Sequence, residues 1–144
     1  MPTLEELRQT RIEKLERLQN NGINPYPAKV RRDFEIKKIL DKFWFWRLTK
    51  KVVYIAGRIR TQRVHGKAAF FDLEDASGKI QCFISPADLN SKKSYDEFIA
   101  SCDIGDFVEV KGSVFKTKKG EKTLRVFEIR IIVKSLLPLP EKWH

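Results

Sequence analysis

Histidine and cysteine are scarce in this chain, with two of each among 144 residues. Cys82, Cys102, His65 and His144 fall in no metal-ligand spacing, so they cannot assemble a zinc site. None of the seven glycines forms a Gly-x-Gly, which excludes a glycine-rich loop cradling phosphates. No nucleophile–base grouping stands out either. No apolar run is long enough to span a bilayer. Glu5, Glu6, Glu13 and Glu16 crowd the amino terminus, so neither a signal peptide nor an acid-poor transit peptide is expected there. Cys82 alternates with Ile80 and Ile84, so it reads as a buried thiol in a reducing compartment. A cytoplasmic location away from any membrane is therefore expected.

Acid is the scarcer charge. The chain has 19 acids against 29 lysines and arginines, giving +10 and a pI near 9.7. That excess points to a polyanionic partner, most often nucleic acid. With 42% hydrophobic and 33% charged residues, the composition is that of a soluble globular domain. A chain of this length can bury roughly 68–70% of its unfolded surface.

The first segment, "PTLEELRQTRIEKLERLQNNG", predicts a helix. Thr3 and Glu6 make a capping box, and Gly22 is a stop signal. Leu4, Leu7, Ile12, Leu15 and Leu18 share an arc of about 140°. Arg8 and Arg11 fall in the same arc. They either lay their stems along apolar surface or face RNA beside the main domain. Pro25 and Pro27 cannot continue a helix. A short second helix is expected from near Asp33, with Ile36, Ile39, Leu40 and Phe43 at helical spacing. "FWFW", Phe43 to Trp46, is expected to pack it onto the main domain, a partner surface being the alternative.

From Lys51 the period becomes two. Val53, Ile55 and Ile59 take one parity, and Arg58, Arg60 and Gln62 the other. Gly57 marks a bend or bulge. Ala69, Phe71 and Leu73 point inward on a second strand, and Ile80, Cys82 and Ile84 on a third after the "ASG" turn. A short helix, "SYDEFIASCD", precedes two final strands joined by a basic loop at 116–121. This order predicts a mainly β domain: a five-stranded Greek-key barrel of the oligonucleotide-binding (OB) type. A helix lies between strands three and four, with the amphipathic helix and short second helix ahead of the barrel. The boundaries are 1–50 for the helical extension and linker, 51–134 for the barrel and 135–144 for a tail.

Phe70 breaks the alternation, because it shares the wet parity of Asp72 and Glu74. If Glu74 opposes Lys79 across the turn, Asp72 opposes Gln81 and Phe70 opposes Phe83. Phe70, Gln81 and Phe83 then share the outer face on which OB barrels bind single strands. Arg58, Arg60 and Gln62 can border it, with Lys116, Lys118, Lys119 and Lys122 at one rim. An exposed ring there is a base platform, with stacking contributing roughly 1–3 kcal/mol. The alternative is a ring packed under a loop or under the first helix. Gln81 offers a donor and an acceptor, and Glu121 only accepts. That pair suits uracil, whose N3–H can meet a carboxylate. Cytosine N3 would leave two acceptors facing each other, at a cost of about 1–3 kcal/mol.

The stretches "RIEKLERLQNNGINPYP", "AGRIRTQRVHGKAAFFDLEDASGKIQ", "DIGDFVEVKGSVFKTKKGE" and "KSLLPLPEKWH" resemble the N-terminal anticodon-binding region of class II lysyl-tRNA synthetases. The resemblance spans nearly the whole chain, and "VFKTKKGE" with "PLPEKWH" points to the lysyl branch. It implies an OB-fold domain that binds tRNA, specifically lysine tRNA. By resemblance Phe70 stacks on an anticodon uracil, Gln81 reads it, and Glu121 and Arg63 contact the anticodon. A catalytic domain or a homodimer partner would belong to a longer parent. ATP, magnesium and lysine would be bound there, leaving this domain without a cofactor. The segment "KKILDKFWFWRLTKK" departs from the family pattern, and no role is carried over to it. The sequence stops at His144, where the family's catalytic domain would begin, so the chain is expected to bind tRNA without charging it. Two rival readings are a general single-strand binder on the same barrel and a module docking a protein through Trp44, Trp46 and the first helix.

Overall fold

A computed structural model describes residues 3–20 and 31–134. The elements in order are α1 (Leu4–Asn20), α2 (Ile36–Asp41), α3 (Phe43–Thr49), β1 (Val53–His65), β2 (Ala68–Glu74), β3 (Lys79–Ile84), α4 (Pro86–Leu89), α5 (Lys92–Ser101), β4 (Phe107–Lys116) and β5 (Lys122–Val133). The strands close into a barrel in the order β1-β2-β3-β5-β4. All ladders are antiparallel except β3–β5, which is parallel. This is the expected OB barrel. Gly22, Pro25, Pro27 and the tail at 135–144 lie outside the described residues.

Alternation builds the core. Val53, Ile55, Ile59, Ala69, Phe71, Leu73, Ile84, Val110 and Leu124 are all at most 1% exposed. Phe98 of α5 stacks obliquely on Phe71 with ring centroids 5.5 Å apart, so the helix between β3 and β4 seals the barrel. The parity expected for β1 holds only to Ile59. There the ladder passes from Ile59↔Leu73 to Thr61↔Asp72, leaving Arg60 as a bulge. The extra residue exchanges the two faces beyond it. Gln62 therefore moves to the inner parity opposite Phe71, while Thr61 and Arg63 turn outward opposite Asp72 and Phe70. The irregularity is not at Gly57 itself. A Cβ at Gly57 would come within 2.6 Å of the Glu74 carbonyl oxygen, so this glycine serves a close backbone approach.

The expected second helix is two helices, broken at Lys42. Ile36, Ile39, Phe43 and Trp46 join the barrel core, each at most 6% exposed. Glu35 makes no side-chain cap for α2. Asp75 in the β2–β3 turn does so instead, accepting the Ile36 N–H at 3.0 Å. The same carboxylate accepts from Ser77 and Gly78. Trp46 is thus a core residue and cannot belong to a docking surface, whereas Trp44 and Leu48 are 67% and 76% exposed.

The capping box of α1 forms reciprocally: Thr3 N–H donates to Glu6 Oε2 and Glu6 N–H to Thr3 Oγ1. Its apolar stripe is only partly covered, with Leu18 at 2% and Leu4 at 64% exposure. Charge completes the docking. Lys134 Nζ, fully buried, donates to Asp103 Oδ2 at 2.6 Å and Asp106 Oδ2 at 2.7 Å. Lys14 reaches Asp103 at 2.6 Å, and Arg11 lies 3.8 Å from it. Arg11 is therefore an anchor for α1, and Arg8 remains exposed.

Burial alone would raise the Asp103 carboxyl, but the Lys134 and Lys14 ammonium groups hold it below its ordinary value of 3.8. Asp75 is likewise lowered, its hydrogen bonds from Ser77, Ile36 and Gly78 outweighing burial. A carboxyl lowered by folding stabilises above its unfolded value, and that contribution is lost as pH falls through the folded value. The melting temperature should therefore fall as pH drops below about 4. Asp103→Asn should be less stable at neutral pH and show a shallower acid limb, measured by thermal denaturation from pH 7 to pH 2.

Candidate nucleic-acid interface

The β2–β3 register is Phe70↔Phe83, Asp72↔Gln81 and Glu74↔Lys79, as the alternation requires. Phe70, Gln81 and Phe83 thus share the outer face. The Phe70 and Phe83 rings lie 5.1 Å apart and tilted by 57°. Phe70 is half-buried, whereas its neighbour Phe71 is fully buried.

The Arg60 bulge adds Arg63 to this face. Its guanidinium lies over the Phe70 ring at 5.8 Å, and Nη2 donates to Gln81 Oε1 at 3.1 Å. Gln81 Nε2 donates to Thr123 Oγ1 at 2.9 Å. The Thr123 hydroxyl in turn donates to the Glu121 carbonyl at 3.2 Å. The direction of this chain is chemically determined. An arginine can only donate, so Gln81 must turn its oxygen toward Arg63 and its amide N–H groups away. One N–H of Gln81 is used by Thr123, leaving the second for a ligand.

Glu121 is held by its backbone. Its N–H donates to Thr117 Oγ1 at 3.1 Å, and its carbonyl accepts the Thr117 N–H at 3.1 Å. Gly120 adopts φ +84° at the tip of this turn, a left-handed conformation suited to glycine. Glu121, Lys116, Lys118, Lys119 and Lys122 are all exposed. Lys122 Nζ lies 5.6 Å over the Phe43 ring, which places α3 beside the base of this loop. The face therefore combines rings and outward donors, with the exposed Glu121 carboxylate and the lysines on the adjoining β4–β5 loop.

Arg58 and Arg60 stand apart from Phe70. Arg58 pairs in register with Glu74 at the far end of β2, and its guanidinium lies over Phe107 at 4.5 Å. Arg60 lies 3.7 Å from the Glu74 carboxylate. The β1 parity expected before the bulge suggested a border at Phe70 for both. They border the other end of the face.

Thr123, Phe115 and Arg125 were not singled out in the sequence. Phe115 and Arg125 carry a signal in their outward parity between the buried Val114, Leu124 and Val126, whereas Thr123 is itself fully buried and carries none. Both cysteine thiols are buried and free. Burial, with Asp72 near Cys82 and Asp106 near Cys102, pushes both well above the ordinary thiol value. They are therefore inert packing groups. Among the described residues no three His, Cys, Asp or Glu side chains gather as a metal site, and no helix is long and apolar enough to cross a membrane.

Residues 53–132 match the tRNA anti-codon family model, described as an OB-fold nucleic acid binding domain. Among curated proteins, the chain is 46% identical over 143 residues to a lysine–tRNA ligase of Carboxydothermus hydrogenoformans, covering 98% of this chain and 28% of that protein. It is 44% identical to a lysine–tRNA ligase of Clostridium botulinum over 96% of the chain and 27% of the relative. For the lysine–tRNA ligase of Thermotoga maritima the identity is 39%, over 98% of the chain and 29% of the relative. The chain thus spans less than a third of the length of these relatives. The matched segment covers the barrel from Val53 to one residue short of the end of β5, and the chain belongs to the tRNA anti-codon family of OB-fold nucleic acid binding domains.

Proposed function

We propose that this chain is the anticodon-reading domain of a lysine–tRNA ligase and that its outer face reads a U-rich lysine anticodon. The observation that carries the reading is the partly exposed Phe70 ring beside the Arg63–Gln81–Thr123–Glu121 hydrogen-bond chain. The similarity to lysine–tRNA ligases over nearly the whole chain supports it.

In this reading a flipped-out base stacks on Phe70. The remaining Gln81 N–H and the unused donors of Arg63 meet its carbonyl oxygens. The Glu121 carboxylate accepts the N3–H of uracil, which cytosine lacks. Lys116, Lys118, Lys119 and Lys122 face the phosphates. This domain supplies recognition, and aminoacylation chemistry belongs to the remainder of such a ligase. A general single-strand binder on the same barrel would bind uracil and cytosine loops alike.

The central test is titration with anticodon stem-loops carrying UUU or CCC, where tighter binding of UUU is expected and equal affinities would overturn the reading. Phe70→Ala should weaken UUU binding by roughly 1–3 kcal/mol and leave the melting temperature nearly unchanged. Phe71→Ala should instead lose about 3–5 kcal/mol of folding stability, read by chemical denaturation. Glu121→Gln should narrow the uracil-over-cytosine ratio, because its amide can turn NH₂ toward cytosine N3. Replacing both Lys118 and Lys119 by Ala should flatten the dependence of log affinity on log salt by about 0.7 per lost phosphate contact, with base preference unchanged.

A further inference from the structure

The ring row does not end at Phe83. Phe115 on β4 lies 6.1 Å from it, nearly edge-on at 77°. The Arg125 guanidinium sits over the Phe115 ring at 4.8 Å. Arg125 is in register with Phe83 across the parallel β3–β5 ladder, and its Nε lies 3.6 Å from Asp88 Oδ2. Asp88 belongs to α4, directly after β3, where its N–H donates to Ser85 Oγ at 3.2 Å.

We propose that Phe115, Arg125 and Asp88 form a second nucleotide subsite, which takes the base next to the one on Phe70 by stacking on the Arg125 guanidinium. The inference rests on the RNA reading of the outer face and assigns it further residues. OB folds engage about 4–16 nucleotides, so a single ring cannot account for the strand. An exposed Arg–Asp pair adds little to folding stability, yet this arginine is gripped from two sides while its side chain stays 44% exposed. A guanidinium already held by a ring and a carboxylate has less rotamer entropy left to lose on binding.

The neighbouring carboxylate also selects the ligand group. Asp88 offsets the arginine's charge and repels a phosphate, whereas a neutral base meets no such penalty on the guanidinium plane. Stacking of this kind is tolerant of base identity. The subsite therefore adds affinity and register, and base choice stays with Gln81 and Glu121.

The test uses the full chain and a UUU stem-loop, together with three versions that are each abasic at one anticodon position. Arg125→Ala should weaken binding of the intact loop about five- to tenfold. That loss should vanish for one abasic loop, adjacent to the position whose removal abolishes the effect of Phe70→Ala. Arg125→Lys should behave like Arg125→Ala, because an ammonium offers no plane. Phe115→Leu, which keeps apolar contact with Phe83, should reproduce part of the loss, and melting temperatures confirm that each variant is folded. An Arg125→Ala variant with unchanged affinity overturns the proposal. So does a loss that is equal for every abasic loop, rescued by lysine and accompanied by a shallower salt slope, since that pattern marks a phosphate contact. If Phe70 still couples to one position in either case, the second subsite fails alone. If Phe70 couples to none, the RNA reading of the face fails first.

Discussion

The short parallel seam between β3 and β5 is the contact on which the rest of the molecule depends. Its pairs are Gln81↔Thr123, Cys82↔Leu124 and Phe83↔Arg125. The middle pair faces inward and is fully buried, so apolar packing holds the seam from below. The outer pairs are the polar and aromatic groups of the candidate interface. Without this closure Gln81 would lose the hydroxyl that orients its amide, and Arg125 would lose its place beside Phe83. The seam also joins the two ends of the sheet, although beyond Arg125 the strand β5 pairs with β4 alone.

A one-residue bulge performs the second necessary adjustment. An unbroken β1 would point Gln62 outward and Arg63 into the core. An unpaired arginine there would be strongly destabilising, because removing a charge from water has to be compensated by a partner. The bulge at Arg60 reverses the parity and sets Arg63 between Phe70 and Gln81. One backbone irregularity thus satisfies the core and completes the outer face together.

The helices outside the barrel attach by two different kinds of contact. The α2–α3 pair buries large apolar side chains and borrows a cap from Asp75. The first helix relies on Leu18 together with the Lys134–Asp103–Asp106 cluster and its Lys14 and Arg11 neighbours. Buried charges of this kind tolerate little change of geometry, because each is stable only while paired. The first attachment resembles ordinary core packing. The second depends on the ionisation of its carboxyls.

Local alternation in the sequence determined most of the barrel: the inward set Ala69, Phe71, Leu73, Ile80, Cys82 and Ile84, the β2–β3 register, and Phe70 on the outer face. These follow from the period of two and a tight turn, which act over neighbouring residues. The capping box of α1 was legible for the same reason. The outward position of Arg63 was not, because a bulge shifts parity without a residue type that announces it. Gly57, the one glycine within β1, serves a close backbone approach three positions before the bulge. The placement of Thr123, Phe115 and Arg125 beside Gln81 and Phe83 was decided by pairing between segments far apart in the chain. Gln81 and Thr123 touch only because the barrel closes, and a parallel pairing between strands separated by two helices and a third strand leaves no local signature. The division of "FWFW" into buried Phe43 and Trp46 and exposed Trp44 was likewise decided by tertiary packing, since four successive aromatics on a helix turn point to every side and only the barrel end selects which are covered.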